Sequence, residues 1–398
     1  MTVNKLHLLW IFLLTACSAV TPEPNESKSI TIASFNVSME ARNYTDPDNQ
    51  SELAPGPQVL MEHLATGQHP QIKNIAEIIQ RTKPDIVLLN EFDFIDNPKH
   101  GVQAFVKNYL AHSHNGSVPI HYPHVFYAQS NTGLPTPFDL DNNGEYEKFG
   151  ADAQGFGMYS GHYGMVLLSK YPIVNEDIRT FQRFLWADMP NALVPIDPVS
   201  GKPFYNEWEW GNLRLSSKSH WDIPVRINDE VIRVLASHPT PPVFDGPEDR
   251  NGKRNHDEIR FWLDYITPGQ DDYIYDDRGN YGGLTNGAKF VILGDQNASA
   301  DRVNDTKSVI AQLLASNQVN DVFTPQSEAG RLNRPENPYA KYHTASWGAR
   351  ADYVIPSKHF EVLDGGVFWP SHDDALHRLV ADRASSSDHR LVWLQLSM

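Results

Sequence analysis

The chain has 398 residues, 33 Lys+Arg against 49 Asp+Glu, a formal net charge of −16 and a single cysteine. A 40% hydrophobic and 11% aromatic composition is enough to bury a sizeable core and excludes a disordered chain. The acid excess argues against a protein that coats nucleic acid with a basic face, and one cysteine excludes both an internal disulfide framework and a zinc site built from cysteine pairs.

The cysteine, Cys17, closes the stretch MTVNKLHLLWIFLLTAC. Lys5 supplies a positive start, and Leu6 to Leu14 an apolar run broken only by His7. That run is shorter than the roughly 20 residues needed to span a bilayer, so it reads as the apolar part of a signal peptide. Leu14-Thr-Ala-Cys17 resembles the bacterial lipobox, whose cysteine is diacylated and becomes the new N-terminus; the alternative is an ordinary secretory signal. The resemblance implies a leader over residues 1–16, lipidation of Cys17 and contact with a membrane through that anchor. With Ser18 next in the chain, it implies export to an outer membrane, on its periplasmic or surface side. Residues 17–29 are polar and contain proline, and read as a flexible tether.

From Ile30 strand and helix patterns alternate. Ile30–Val37 is a β-branched apolar run. Gln71–Thr82 has apolar residues at 72, 75, 76, 78 and 79, a helical period that Lys83-Pro84 stops, and Asp85–Asn90 (DIVLLN) reads as a buried strand. Further strands are expected at His124–Ala128, Met165–Ser169, Val231–Ser237, Phe290–Leu293, Ala351–Ile355 and Leu391–Leu396, with helices at Val102–Ala111, His256–Ile266 and Thr306–Ala315. The stretches 38–70, 129–162 and 267–287 are rich in Gly, Pro and Asp and read as long loops, which in compact domains are usually functional or mobile. The pattern predicts an α/β or α+β fold with mixed sheets, because some neighbouring strands lack a crossover helix between them.

Polar residues recur where these strands end, the place α/β sheets put their chemistry. Asn36 closes IASFN, Glu91 follows DIVLLN, His238 follows VIRVLAS, and Asp295 and Asn297 stand in VILGDQN. Asp352 opens DYVI, and Asp388-His389 precede the last strand. Each alone has an ordinary explanation as a turn, cap or solvated residue. Together, carboxylates and an amide are hard ligands for magnesium, manganese or calcium, and two histidines with acidic partners move protons near neutral pH. A hard cation, a water nucleophile and histidine acid–base groups describe hydrolysis of a phosphate ester.

The order Asn36, Glu91, His238, Gly294-Asp295-x-Asn297, Asp352 and Ser387-Asp388-His389 resembles the endonuclease/exonuclease/phosphatase superfamily. KPDIVLLNE (83–91) and YGMVLLSKYPI (163–173) resemble two more of its segments. The resemblance spans residues 30–398 and implies one catalytic domain, a four-layer sandwich of two mixed β-sheets packed face to face with helices outside. It implies that Glu91, Asn36 and Asp388 hold a divalent metal, Mg2+ or else Mn2+ or Ca2+. By the same resemblance Asp295 orients the attacking water, Asn297 holds the phosphate or that water, and His389, oriented by Asp352, contacts the scissile phosphate. His238 would be the second histidine, a phosphate contact and proton donor, though the family's usual acidic partner for it is not evident here.

Three further features stand out. Tyr159 and His162, in the Gly- and aromatic-rich GFGMYSGHYGM, and Arg214 are candidate substrate contacts, with local packing or an ion pair as the alternative. Asp139, Asp141 and Asn143, with Gly144, have the spacing that opens an EF-hand calcium loop, but the position for its closing glutamate is Gly150. Trp186, Trp208 and Trp210 would suit a lipid surface if exposed. The expectation is an exported phosphoesterase, monomeric, acting on phosphate esters with no stable nucleic-acid partner. Nuclease or phospholipid phosphodiesterase activity is the alternative, and a non-catalytic surface-binding lipoprotein the competing class.

Overall fold

Alternation along the first strand sets the architecture. In the computed structural model, which describes residues 29–45, 56–300 and 308–398, β1 (Ser29–Met39) sends Ile30 and Ile32 to one side and Ala33, Phe35 and Val37 to the other. The leader, Cys17 and all but the last residue of the expected tether lie outside the described residues.

β1 pairs in parallel with β2 (Ile86–Phe92). β3 (His124–Tyr127) and β4 (Met165–Ser169) extend this sheet beyond β2. The second sheet holds β5 (Arg179–Thr180), β6 (His220–Ile227), β7 (Glu230–Ser237), β8 (Lys289–Asp295) and β9 (Asp352–Pro356), in that order, with only β7 and β8 parallel. β10 (Val362–Val367) and β11 (Val392–Ser397) return to the first sheet, whose order is β10-β11-β1-β2-β4-β3. Both sheets are mixed, as the sequence predicts.

Three apolar clusters reveal the layers. Between the sheets, Ile30, Ile32, Ile86, Leu88 and Leu167 meet Trp221, Ile223, Val234 and Leu293. Outside the first sheet, Phe35, Val87 and Leu89 pack on helices α1 (Gln58–Thr66), α2 (Pro70–Thr82) and α3 (Val102–Phe105), the last running on as a π turn to Leu110. Outside the second, Leu235, Ile292 and Tyr353 pack on Trp210 of the short α4 (Glu207–Trp210), α5 (Arg250–Ile266) and α6 (Ser308–Leu314). The result is the expected four-layer α/β sandwich.

Several elements depart from the sequence reading, among them α1, α4, β5, β6 and β10. The expected 38–70 loop contains α1, and β6 was not expected because Pro224 interrupts HWDIPVRI. The proline is tolerated because its backbone faces the side where only the two-residue β5 and the 172–174 segment run, Val174 N donating to Pro224 O at 2.9 Å. Trp221, Ile223, Val225 and Ile227 keep the period of two and fill the space between the sheets.

Candidate functional site

The residues facing the space between the sheets change character near one edge. Along β1 the inward positions run Ile30, Ile32, Ser34, Asn36, Ser38; along β2 they run Ile86, Leu88, Asn90. Val291 and Leu293 of β8 lead to Asp295, and Val234 and Ala236 of β7 to His238 just past its end. The apolar stripe that glues the sheets thus turns into a buried polar stripe on several strands at once. Asn90 ties the two sheets there, its Oδ1 accepting from Asp295 N at 3.1 Å and its Nδ2 donating to Ser237 O at 3.4 Å.

Glu91 reaches the same side against the alternation. As the neighbour of inward-facing Asn90 it would point to the helix layer with Val87 and Leu89. Instead the β1–β2 register shifts between Asn36 and Met39, and Ser38 and Glu91 both take left-handed backbone, φ +47° and +57°. A bulge of this kind re-aims a side chain beside a site, and such strain persists where surrounding structure enforces it. Gly294 has a related reason: at φ +139° a Cβ would lie 1.9 Å from Ser237 O, so only glycine lets β8 run this close to β7.

The site residues converge. Asn36 Nδ2 donates to Glu91 Oε1 at 2.9 Å and to Asp295 Oδ2 at 3.0 Å, while its Oδ1 accepts from Ser38 N. His238 Nε2 lies 3.5 Å and His389 Nε2 3.7 Å from that same Asp295 Oδ2. His389 Nδ1 is 2.8 Å from Asp352 Oδ2, which also accepts from Thr344 Oγ1. Asn297 N donates to Asp295 Oδ1 and its amide to Pro239 O, so it braces the turn that carries Asp295. Asp388 accepts from Ser38 Oγ and Arg383 Nη1 at the rim. Glu91, Asp295, Asn297, Asp388 and His389 line a cavity of about 410 Å3.

Electrostatics separates these groups. Burial pushes the Glu91 and Asp295 carboxyls upward, against the Asn36 hydrogen bond to each and the charge of His389. Burial opposes charge on His389 too, but the Asp352 and Asp295 carboxylates outweigh it and raise its pKa, so this ring favours the imidazolium. His238 is driven well below the usual histidine range by burial, then by Lys218 and His389, and its buried Nδ1 has no hydrogen-bond partner among the described residues. The partly buried Glu91 and buried Asp295 carboxylates, bridged by one neutral amide, form a hard oxygen-donor set. Ligand atoms of Glu91, His238 and Asp295 lie within 4.8 Å of one another, which fits a divalent cation.

Lys218, in LSSKSHWD, is buried within electrostatic reach of these carboxylates but does not line the cavity. The side chain is 6% exposed, and its pKa is lowered by burial against the pull of Glu258, Glu91 and Asp295. Glu258 of α5 fixes the surroundings: it accepts from Ser217 N at 2.6 Å and Thr240 N at 2.7 Å, holding the segments that carry Lys218 and His238.

Other expected contacts are structural. Tyr159 and His162 do not line the cleft; both are buried, Tyr159 donating to Asp93 Oδ2 at 2.5 Å and His162 Nε2 bonding Glu40 Oε2 at 2.8 Å, with the rings stacked. Arg214 is held by the Asn131 amide oxygen at 2.7 Å and is likewise outside the cleft. The basic run 250–254 is spent internally, Arg250 on Glu248 and Arg254 on the carbonyls of Gln154, Arg214 and Leu215. Trp186 is buried against Trp210, leaving Trp208 as the exposed member of the three. Asp139 and Asp141 lie beside buried Asp152, whose two oxygens accept from Leu140 N and Glu147 N, and Asp139 accepts from Asn143 N and Gly144 N.

The sequence pattern of the Endonuclease/Exonuclease/phosphatase family matches residues 33–389. No curated protein matches the chain. Similar solved structures include an endonuclease/exonuclease/phosphatase from Beutenbergia cavernae DSM 12333, 20% identical, covering 93% of this chain and 72% of that one with a TM-score of 0.48. The human Nocturnin catalytic domain is 15% identical over 93% of this chain and 94% of its own, TM-score 0.44. Sphingomyelinase C from Streptomyces griseocarneus is 13% identical over 92% and 99%, TM-score 0.43. With the family pattern running from β1 to the histidine held by Asp352, this chain belongs to the endonuclease/exonuclease/phosphatase family.

Proposed function

We propose that the chain is an exported, divalent-metal-dependent hydrolase of phosphate esters. One observation carries the catalytic part: the Nε2 atoms of His238 and His389 both approach Asp295 Oδ2, while Asn36 joins that carboxylate to Glu91 at a cavity floor. Of the expected metal residues Glu91 would hold the cation, Mg2+ or else Mn2+ or Ca2+, here with Asp295 and His238. Asn36 braces the two carboxylates and Asp388 stands at the rim. When bound, the ion would supply positive charge for the phosphoryl oxygens. Asp295 orients a water and takes its proton; the water oxygen bonds to phosphorus as the bond to the ester oxygen breaks. That leaving oxygen takes a proton from an imidazole, for which His389, held by Asp352, is the better placed donor. Lys218, buried within electrostatic reach of Glu91 and Asp295, would add positive charge when protonated. Residues 1–16 as a lipoprotein leader and Cys17 as the lipidated residue extend the proposal to an outer-membrane-anchored enzyme, and labelling with a radioactive fatty acid in cells, parent against Cys17→Ser, tests that part alone.

The catalytic test is turnover of bis-p-nitrophenyl phosphate, p-nitrophenyl phosphate and plasmid DNA with Mg2+ or Mn2+. We expect turnover of a small ester that chelator abolishes, and a loss of at least about 100-fold in kcat for His389→Ala. Equal rates for both proteins would remove His389 from the chemistry, and no turnover with any metal would make the chain a binding protein on this fold.

A further inference from the structure

The floor of the cavity is polar, but its walls are not. Pro241, Pro242, Val243 and Phe244 form one side, from the segment after β7, and Trp347 belongs to the turn that precedes β9. Phe244 is 87% exposed and sits at φ +65°, a left-handed conformation that is a clear outlier for a bulky residue. A phenylalanine that is both strained and wet contributes nothing to the core; strain of this kind gathers at ligand sites.

The loop that displays Phe244 is braced on both sides. Pro239, Pro241 and Pro242 stiffen it, and α5 grips it: Asn255 Nδ2 donates to Thr240 O, Asn251 Nδ2 to Val243 O and Asn251 N to Asp245 Oδ2, at 2.7–2.8 Å. Trp347, 42% exposed, meets the His389 ring edge-on at 6.1 Å, and Ser346 N donates to Asp388 O. Each aromatic is therefore attached to the segment bearing one of the two histidines that flank Asp295. The cavity, about 410 Å3, lies at the lower end of the roughly 300–1,000 Å3 typical of small-molecule sites. It has room for one phosphorylated ring system. A chain of charge −16, with Arg250 and Arg254 turned inward and the exposed Arg383 at the rim paired with Asp388, offers no track for a long polyanion.

Resting on the hydrolase reading above, we infer that Phe244 and Trp347 form an aromatic clamp for one planar ring of the substrate, so that the preferred ester is of mononucleotide size. The phosphate lies at the Glu91–Asp295 floor and the ring stacks against the walls.

The test compares the full chain with Phe244→Gly and Trp347→Ala on matched esters: a nucleoside monophosphate against glycerol 3-phosphate, and a dinucleoside monophosphate against glycerophosphocholine. Ring-bearing esters should lose at least about 10-fold more kcat/KM than ringless ones, through KM, since stacking on an aromatic is a binding term. Phe244→Gly should keep or raise the Tm, because glycine takes this backbone freely. Calorimetric binding of the nucleoside monophosphate should weaken in both variants, which separates the clamp from catalysis. If the parent turns over no ester but binds the nucleotide more tightly than the variants, the hydrolase reading fails and the clamp stands. Equal losses on ringed and ringless esters, nucleotide binding unchanged in the variants, or loss in the variants of a parent affinity for phosphatidylcholine vesicles would overturn the clamp.

Discussion

Lys218 poses the sharpest question about a single residue. A buried ammonium costs several kcal/mol in desolvation, so its presence needs a return, and Glu91, Asp295 and Glu258 provide the opposing charge. If the return is catalytic, Lys218→Met should lower kcat/KM by about 100-fold, more than its loss of Tm explains, since Glu258, Glu91 and Asp295 also lose their opposing charge. A fall in Tm with activity intact would make the lysine a structural counter-ion. Lys218 was invisible in the sequence because it ends no strand pattern and stands among serines. Asn36, His238, Asp295 and Asp352 were legible for the opposite reason: each is a polar position at the end of an inward-facing apolar run, while His389 stands just before the last strand. Glu91 was legible by position but not by direction, since alternation aims it at the helices and only the left-handed turn brings it into the cleft. Tyr159 and His162, read as candidate contacts, stack on each other and bond two buried carboxylates, Asp93 and Glu40, inside the fold.

Among the elements, β6 and α5 are joined through a histidine whose protonation state the packing dictates. His220 Nε2 donates to Glu258 O at 2.8 Å, Nδ1 accepts from Ser216 Oγ, and the ring packs on Phe261 and Trp262. Burial lowers its pKa to about 4 from an ordinary 6.5. The unfolded chain therefore binds the extra proton first as pH falls. The stabilisation from keeping this ring neutral is whole above pH 6.5 and is lost as pH drops toward 4. Between pH 7.5 and 5.0 it removes about 2 kcal/mol. Urea unfolding of the parent and of His220→Phe at those two pH values should show the parent losing that much more; equal losses would mean that His220 is not held neutral. Strong periodicity made α2, β4, β7 and β8 legible almost to the residue. α1 was hidden in a Pro- and Gly-rich stretch whose composition outweighs the short period of Leu60 and Leu64, and β6 behind a proline tolerated because its backbone faces only the 172–174 segment.

At the scale of the whole molecule, the candidate cation site is a seam. Glu91 comes from the first sheet and Asp295 and His238 from the second, so an ion held by all three would link the two halves of the sandwich. The sequence carried these residues in order, but that both sheets must meet for them to form one site followed only from the family resemblance. Anything that binds the folded chain alone stabilises it by mass action, about 2.7 kcal/mol at 100 times Kd. Mn2+ or Mg2+ at that level should raise the Tm by several degrees for a chain of this size, and chelator should reverse the shift. Glu91→Gln, which keeps the shape and the hydrogen bond from Asn36 but removes one charge, should abolish most of it. Asp141→Ala, in the acidic 139–152 loop far from the seam in sequence, should leave it whole. The reverse result, a shift that survives Glu91→Gln and vanishes in Asp141→Ala, would move the cation into that single loop. The hydrolytic site would then have to work through Lys218 and the two histidines without a metal between the sheets.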